Sequence, residues 1–220
     1  MKTLQSSIRT GLLCALAIVL FNCKKDSVDT TIPTWNYSTF TDVRDGKTYK
    51  YIKIGNQNWM AENLAYKTTT GSWTFYGSEE NGTKYGRLYT WSAAKEAIPA
   101  GWHLPTDSEW KQLEMSLGMS QTDADSNGLR GTNEGEKLKS LNDWAENGNG
   151  TDAVGFNALP GGFLTNSGSF FALTWYGYWW TSTENNDLNA WFRYISNIDP
   201  KIYRKAGFKD DGYSIRCIKD

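Results

Sequence analysis

Gly101-Trp102-His103-Leu104-Pro105-Thr106-Asp107-Ser108-Glu109-Trp110 is the stretch from which the fold is read. Pro105 ends an extended run, and Thr106 stands three residues before Glu109, the spacing at which a hydroxyl and a carboxylate cap a helix reciprocally. Trp110, Leu113 and Leu117 then recur at helical spacing, and Gly118 marks a stop. A helix is therefore expected from Thr106 or Asp107 to the neighbourhood of Gly118. Upstream, Asp45-Gly46 separates Asp42-Val43 from the aromatic and β-branched run at residues 48–54, the pattern of a hairpin, and Gly55-Asn56 turns that run toward residues 57–64. Residues 85–94 read as an aromatic stretch leading into a short helix. Downstream, residues 136–141 predict a second short helix with Leu138 and Leu141 on one face, and residues 147–152 a loop. Residues 155–163, 175–183, 190–195 and 213–218 alternate aromatic runs with turns and read as antiparallel strands. The expected class is α+β: an irregular antiparallel sheet with two short helices and long loops.

The composition agrees. Of 220 residues, 39% are hydrophobic and 21% charged, which excludes collagen-like, coiled-coil and wholly disordered chains. Eleven Trp, 12 Tyr and 9 Phe are joined by 21 Gly, so large rigid rings are linked by tight turns. With 23 basic and 24 acidic residues the net charge is −1, and no electrostatic footprint for nucleic acid stands out. His103 is the single histidine, which excludes zinc motifs that need two. It is expected to serve structure, bonding to backbone near the helix start.

Residues 1–22 read as an export signal: Lys2 and Arg9, then an apolar run at residues 11–21 that is too short to span a bilayer. Leu20-Phe21-Asn22-Cys23 resembles the lipobox of bacterial lipoproteins, which implies that Cys23 is lipidated and becomes the new N-terminus, with Asn22 where a small residue is usual. The expected partner is thus a lipid anchor in the membrane, and the expected location an outer membrane or cell surface. Residues 23–41 are expected to be the lipidated cysteine and a polar tether, within which Asp26-Ser27-Val28 and Asp29-Thr30-Thr31 resemble a bacterial O-glycosylation acceptor, and residues 42–220 the folded domain. With Cys14 in the signal and Cys23 lipidated, Cys217 alone remains in the domain, so the core must hold the fold without a disulfide. Cys217 is expected to be a buried structural thiol, in a strand whose Tyr213, Ile215 and Cys217 face inward.

Eight motifs resemble, in order, those of the Fibrobacter succinogenes major paralogous domain. They are Asp45-Gly46-Lys47-Thr48-Tyr49, the run Ile54-Gly55-Asn56-Gln57-Asn58-Trp59-Met60-Ala61-Glu62-Asn63-Leu64, Tyr85-Gly86-Arg87-Leu88-Tyr89-Thr90-Trp91, the opening stretch from Gly101 to Trp110, Arg130-Gly131-Thr132-Asn133-Glu134-Gly135 with Lys137-Leu138-Lys139-Ser140, Gly155-Phe156-Asn157-Ala158-Leu159-Pro160-Gly161-Gly162, Trp179-Trp180-Thr181-Ser182-Thr183-Glu184, and Gly212-Tyr213-Ser214-Ile215-Arg216-Cys217. That family is in turn similar to formylglycine-generating and C-type-lectin-like domains, so the resemblance implies a C-type-lectin-like fold and a surface-lipoprotein habit, but no substrate. Formylglycine-generating chemistry needs two thiolates to hold copper. The domain has one cysteine, and that enzyme activity is not expected.

Two constellations remain as candidate sites. Asp123, Asp125, Asn127, Gly128 and Glu134 match the EF-hand loop spacing, a calcium candidate weighed against Arg130 at the loop position where an apolar residue normally pairs with a second hand. Apart from calcium no cofactor is expected. Trp175, Tyr176, Tyr178, Trp179, Trp180 and Trp191 are interleaved with Asn185, Asn186 and Asn189, and rings flanked by amides suit the apolar faces and hydroxyl edges of sugars. Because alternate strand residues face opposite sides, Trp179 and Trp180 are not both expected in the core. The leading expectation is a non-catalytic glycan- or ligand-binding module. The alternatives are an envelope component that binds a protein partner, and a hydrolase or oxidase using scattered carboxylates such as Asp107, Glu109 and Glu184.

Overall fold

The structure, a computed structural model, describes residues 34–220. The expected signal at residues 1–22, the lipidation candidate Cys23 and the acceptor-like triplets at residues 26–31 lie outside the described residues. In chain order the elements are β1 (Ser38–Thr41), β2 (Thr48–Ile54), β3 (Gln57–Met60), β4 (Ser72–Trp73), a 3-10 turn (Phe75–Gly77), α1 (Glu79–Tyr85), β5 (Leu88–Tyr89), α2 (Trp91–Glu96), β6 (Trp102–His103), α3 (Asp107–Ser116), α4 (Gln121–Asp125), β7 (Gly128–Arg130), α5 (Glu134–Leu138), β8 (Gly161–Leu164), β9 (Phe170–Leu173), β10 (Tyr176–Glu184), β11 (Asn189–Ser196), β12 (Ile202–Phe208) and β13 (Ile218–Lys219). The class is α+β and mostly strand. Among the described residues no helix is long and apolar enough to cross a membrane.

α3 forms where its capping pattern predicts. Thr106 Oγ1 accepts from the Glu109 amide at 3.1 Å, and Glu109 Oε2 accepts from the Thr106 amide at 2.7 Å. Five short helices appear among the described residues instead of two. One of the three others, α2, is the short helix read at the end of residues 85–94. The unforeseen ones, α1 and α4, are capped by Ser78 and Ser120 but bury only Gly82 and Tyr85, and Ala124, so they carry no apolar periodicity to betray them. α5 begins at Glu134, two residues before the expected start.

Two larger sheets and a small one organise the strands. One runs β1-β2-β3-β13-β6, the second β7-β12-β11-β10-β8-β9, and β4 pairs β5. β1 pairs antiparallel with β2, Ser38 opposite Tyr51, so four residues assigned to the tether belong to the sheet. The turn at Gly55 closes the β2–β3 hairpin with Ile54 opposite Gln57, and its φ of +58° is the left-handed geometry such a two-residue turn requires. The C-terminal run is not one alternating strand. Tyr213, Ile215 and Cys217 are buried, but so are Ser214 and Arg216, because the segment threads between both sheets and only Ile218–Lys219 pair as a strand.

The expectation for the paired tryptophans is overturned. Trp179 and Trp180 are both 0% exposed. They do face opposite sides of β10, but both sides are covered: Trp180 enters a cluster with Tyr89, Phe192, Tyr213 and Ile215, and Trp179 one with Trp59, Trp110, Phe156 and Ile195. A sheet buried on both faces has no solvent side for either ring, and each indole nitrogen is satisfied, Trp179 Nε1 by Asn63 Oδ1 at 2.9 Å and Trp180 Nε1 by the Tyr89 carbonyl at 2.8 Å.

Candidate functional site

The tryptophan, tyrosine and asparagine candidates do not form one site. Trp179 and Trp180 are core. Tyr178 is half-buried in a row of rings that crosses the second sheet: it lies 4.8 Å from Phe163 and stacks on Tyr194 at 5.2 Å, and Tyr194 stacks on Tyr203 at 4.0 Å. Rings that stand upright and stack spend their faces on each other and present edges to solvent, so this row stabilises the strand pairing more than it offers a platform. Burial pushes the Tyr178 and Tyr194 phenols up. Trp191 projects to the opposite face of β11, beneath the Arg204 guanidinium at 3.8 Å. Asn185 and Asn189 belong to the β10–β11 turn, where Asn186 Oδ1 accepts from the amides of Leu188 and Asn189 and from Asn189 Nδ2. At about 3.3 Å per residue, a strand as long as β10 separates that turn from Trp175 by tens of ångströms.

Trp175 is different. It is 42% exposed and lies outside the stacked row, at the start of β10. Its turn contains Ala172 and Thr174, both in left-handed conformations with φ of +63° and +68°. For a β-branched residue that is a strained state which the surroundings must enforce. The enforcing bonds are visible. Trp175 N donates to Ala172 O at 3.1 Å, Thr174 N to Pro160 O at 2.9 Å, and Ala145 N to Thr174 O at 2.8 Å. Ala145 lies in a loop with three more left-handed residues, Asp143, Glu146 and Asn147, with φ of +79°, +51° and +58°. Asn197 links the two segments, its amide donating to Trp175 O at 2.9 Å and its Nδ2 to Ala145 O at 3.3 Å. Beneath the loop, the buried Trp144 donates Nε1 to Ser140 Oγ and the Ala158 carbonyl, both at 3.1 Å. Glu146, Asn147 and Asn149 are exposed on the rim. A half-exposed indole thus sits on a turn hydrogen-bonded to a loop that carries an exposed carboxylate and two exposed amides, of which Asn149 Oδ1 accepts from the Trp144 amide at 3.0 Å.

The calcium candidates are not brought together around one point. α4 is helical where a binding loop would wrap an ion, and each oxygen faces a different protein donor. Asp123 Oδ2 accepts from Ser120 Oγ at 2.8 Å, Asp125 pairs with Lys111 at 2.8 Å, Asn127 Oδ1 accepts from Arg204, and Glu134 Oε2 accepts from the Thr132 amide at 2.7 Å. Among the described residues no group of three or more His, Cys, Asp or Glu side chains is placed to hold a metal ion.

The scattered carboxylates are likewise engaged. Asp107 binds Arg193 Nη1 through Oδ1 at 2.7 Å and Arg204 Nη2 through Oδ2 at 2.8 Å. Burial raises its carboxyl, but the two guanidinium groups win and hold it well below the usual range. Glu184 reaches Lys209 at 3.3 Å. Glu109 caps α3 and accepts from His103 Nε2 at 2.8 Å, while His103 Nδ1 meets Asp220 at 2.7 Å. His103 therefore bonds to two carboxylates, not to the backbone expected of it. Burial lowers its pKa, and the two acids more than offset that, leaving it raised.

Two buried networks were not foreseen. In the first, Glu114 Oε1 accepts from Arg193 Nε at 2.7 Å and Arg130 Nη2 at 2.9 Å, so three arginines and two acids lie between α3 and the second sheet. The visible signal was Arg193 in an otherwise apolar β11 run. In the second, the fully buried Arg216 donates to Asn63 Oδ1 at 2.9 Å and to the carbonyls of Phe156 and Asn157, with its guanidinium 4.3 Å over the Phe156 ring. Burial lowers its pKa to about 9, which still leaves it charged. Asn63, Phe156, Asn157, Trp179 and Arg216 come from four separate motifs and meet at one point.

A family model matches residues 52–219, the Fibrobacter succinogenes major domain. The chain belongs to that family. In this Fibrobacter succinogenes major domain, residues from four motifs converge at Arg216 in a buried polar junction. No curated protein and no solved structure matches the chain.

Proposed function

We propose that this domain is a non-catalytic binding module that holds a glycan against Trp175. The observation that supports it is an exposed indole on a strained turn, hydrogen-bonded to a second strained loop whose rim carries Glu146, Asn147 and Asn149. Sugars offer an apolar ring face and hydroxyl edges, and an exposed indole on a turn tied to a loop bearing amides and a carboxylate suits both. The strain is explained by preorganisation: a turn held rigid before binding loses little entropy on binding.

The proposal carries two further parts. The fold is of the C-type-lectin-like kind, which the irregular sheets, antiparallel except where β8 pairs β10 in parallel, the short helices and the long loops support. The protein is an exported lipoprotein anchored through Cys23 at an outer membrane or cell surface, supported by the lipobox-like Leu20–Cys23 segment.

A glycan array and polysaccharide pull-down with wild type and Trp175→Ala tests the reading. Saturable binding that is lost in a folded Trp175→Ala supports it. No binding to any sugar sinks it and moves the protein-partner reading ahead, for which the exposed Ile198 beside Asn197 is the nearest apolar anchor.

A further inference from the structure

A second aromatic site lies away from Trp175. A cavity of about 150 Å³ opens between β4 and the β8–β9 hairpin, with Trp73 and Phe170 as aromatic walls, Leu164 as its buried floor, and Thr165, Asn166 and Asp210 at its rim. Trp73 is 38% exposed. Phe170 is backed by Phe75 and by Tyr76, each with ring centroids 5.2 Å away. Tyr76 is itself 73% exposed and held at φ of +52°, a conformation that a bulky side chain adopts only under constraint.

The charged group in the lining of this cavity is acidic. Asp210 is exposed at its lip, and Asp211 lies behind it, its Oδ1 accepting from the Asn166 amide at 2.9 Å. Glu79 and Glu80 follow Tyr76 at the start of α1. The nearby cations are engaged elsewhere. Arg87 donates Nη2 to the Ser72 carbonyl at 3.2 Å, and Lys209 donates Nζ to the Asp187 carbonyl at 3.0 Å and pairs with Glu184 at 3.3 Å. Two aromatic side chains and a carboxylate, with no cation in the lining, attract a positive group. The volume falls below the roughly 300–1,000 Å³ of pockets that enclose whole drug-sized ligands. It suits a head group whose remainder stays in solvent.

We infer that the Trp73–Phe170–Asp210 cavity binds an organic cation, an alkylated ammonium head group, by cation–π attraction from the two rings and charge pairing with Asp210. This site does not depend on the Trp175 reading, and either can fail alone.

The test titrates the full chain with tetramethylammonium and with choline, following the Trp73 indole and Gly168 amide resonances by NMR. Tetramethylammonium is expected to saturate with a Kd on the order of millimolar, and Trp73→Leu, which keeps apolar bulk and removes the π face, to weaken binding about tenfold. Asp210→Asn, at an exposed position, is expected to weaken it several-fold. The uncharged isostere of choline, 3,3-dimethylbutan-1-ol, is expected not to bind. The inference is overturned by any of three results: no saturable shift in the wild type, equal binding of the neutral isostere, or an unchanged Kd in both variants. Circular dichroism on each variant separates loss of the site from loss of the fold, and the isostere comparison in the wild type stands whatever the variants do.

Discussion

Replacing Glu114 by Gln removes the charge at the centre of the buried network while keeping the side chain's shape. Glu114 is fully buried on α3, and its Oε1 accepts from two guanidinium groups, Arg193 Nε at 2.7 Å and Arg130 Nη2 at 2.9 Å. Its Oε2 lies 2.8 Å from Arg130 Nη1. A glutamine offers one acceptor and turns a donor toward the arginines. Arg193 retains Asp107, but Arg130 has no other acid in the network and would keep only the Met119 sulfur. Leaving a buried cation unpaired costs about 3–5 kcal/mol. At about 2–4 °C per kcal/mol for a domain of this size, Tm should fall by about 6–20 °C. Urea unfolding followed by tryptophan fluorescence at neutral pH reads the loss directly. Lys84→Met, which breaks the partly exposed Lys84–Asp143 pair, is the control and should cost less than about 1 kcal/mol. A loss below about 1 kcal/mol for Glu114→Gln, with an unchanged m-value, would refute the reasoning and make the network energetically neutral.

Trp179→Ala and Trp180→Ala should each destabilise by about 3–5 kcal/mol in the same assay, because both leave cavities in sealed cores, whereas Trp175→Ala should stay within about 0.5 kcal/mol of wild type. Burial raises the Asp152 carboxyl from 3.8 to about 6. The folded state therefore binds that proton more tightly than the unfolded chain, and the resulting stability is full below the unfolded pKa and lost as pH rises through about 6. Thermal melts across that interval should show wild type losing stability with rising pH and Asp152→Asn losing less; parallel curves would count against the buried carboxyl. Millimolar calcium should leave Tm where EDTA leaves it, since the Asp123 to Glu134 oxygens are engaged by protein donors, and a rise of several degrees would restore the ion site.

The elements that announced themselves are those with a local cause. The Thr106–Glu109 capping box and the turn at Gly55 are contained within a few residues, and the helix and the hairpin they respectively imply are where they were expected. Long-range pairing left weaker marks. That Trp179 and Trp180 could both be core depends on cover arriving from Tyr213 and Ile215 on one side and from α3 on the other, segments distant in the chain. The arginines of β11 and β12 carried no reading in the sequence, because only the strand pairing sets Arg193 and Arg204 directly opposite each other with Asp107 bound to both. In the candidate site, Trp175 was legible as an aromatic among amides, but the wrong amides: Asn185 and Asn189 shape a distant turn, and the loop that carries Glu146 and Asn147 is tied to the Trp175 turn through Ala145 and Asn197. The left-handed conformations that set Trp175 apart occur at Ala172 and Thr174, residue types that give no warning of them.

The most direct test of the account is isothermal titration of the protein with the strongest ligand from a polysaccharide screen, comparing wild type, Trp175→Ala and Trp191→Ala. Trp191 is the matched control, a half-buried indole of β11 capped by Arg204. The account predicts saturable binding that survives Trp191→Ala and disappears in a Trp175→Ala protein whose melting curve matches wild type. Binding retained without the Trp175 ring, or lost only with Trp191, would contradict it.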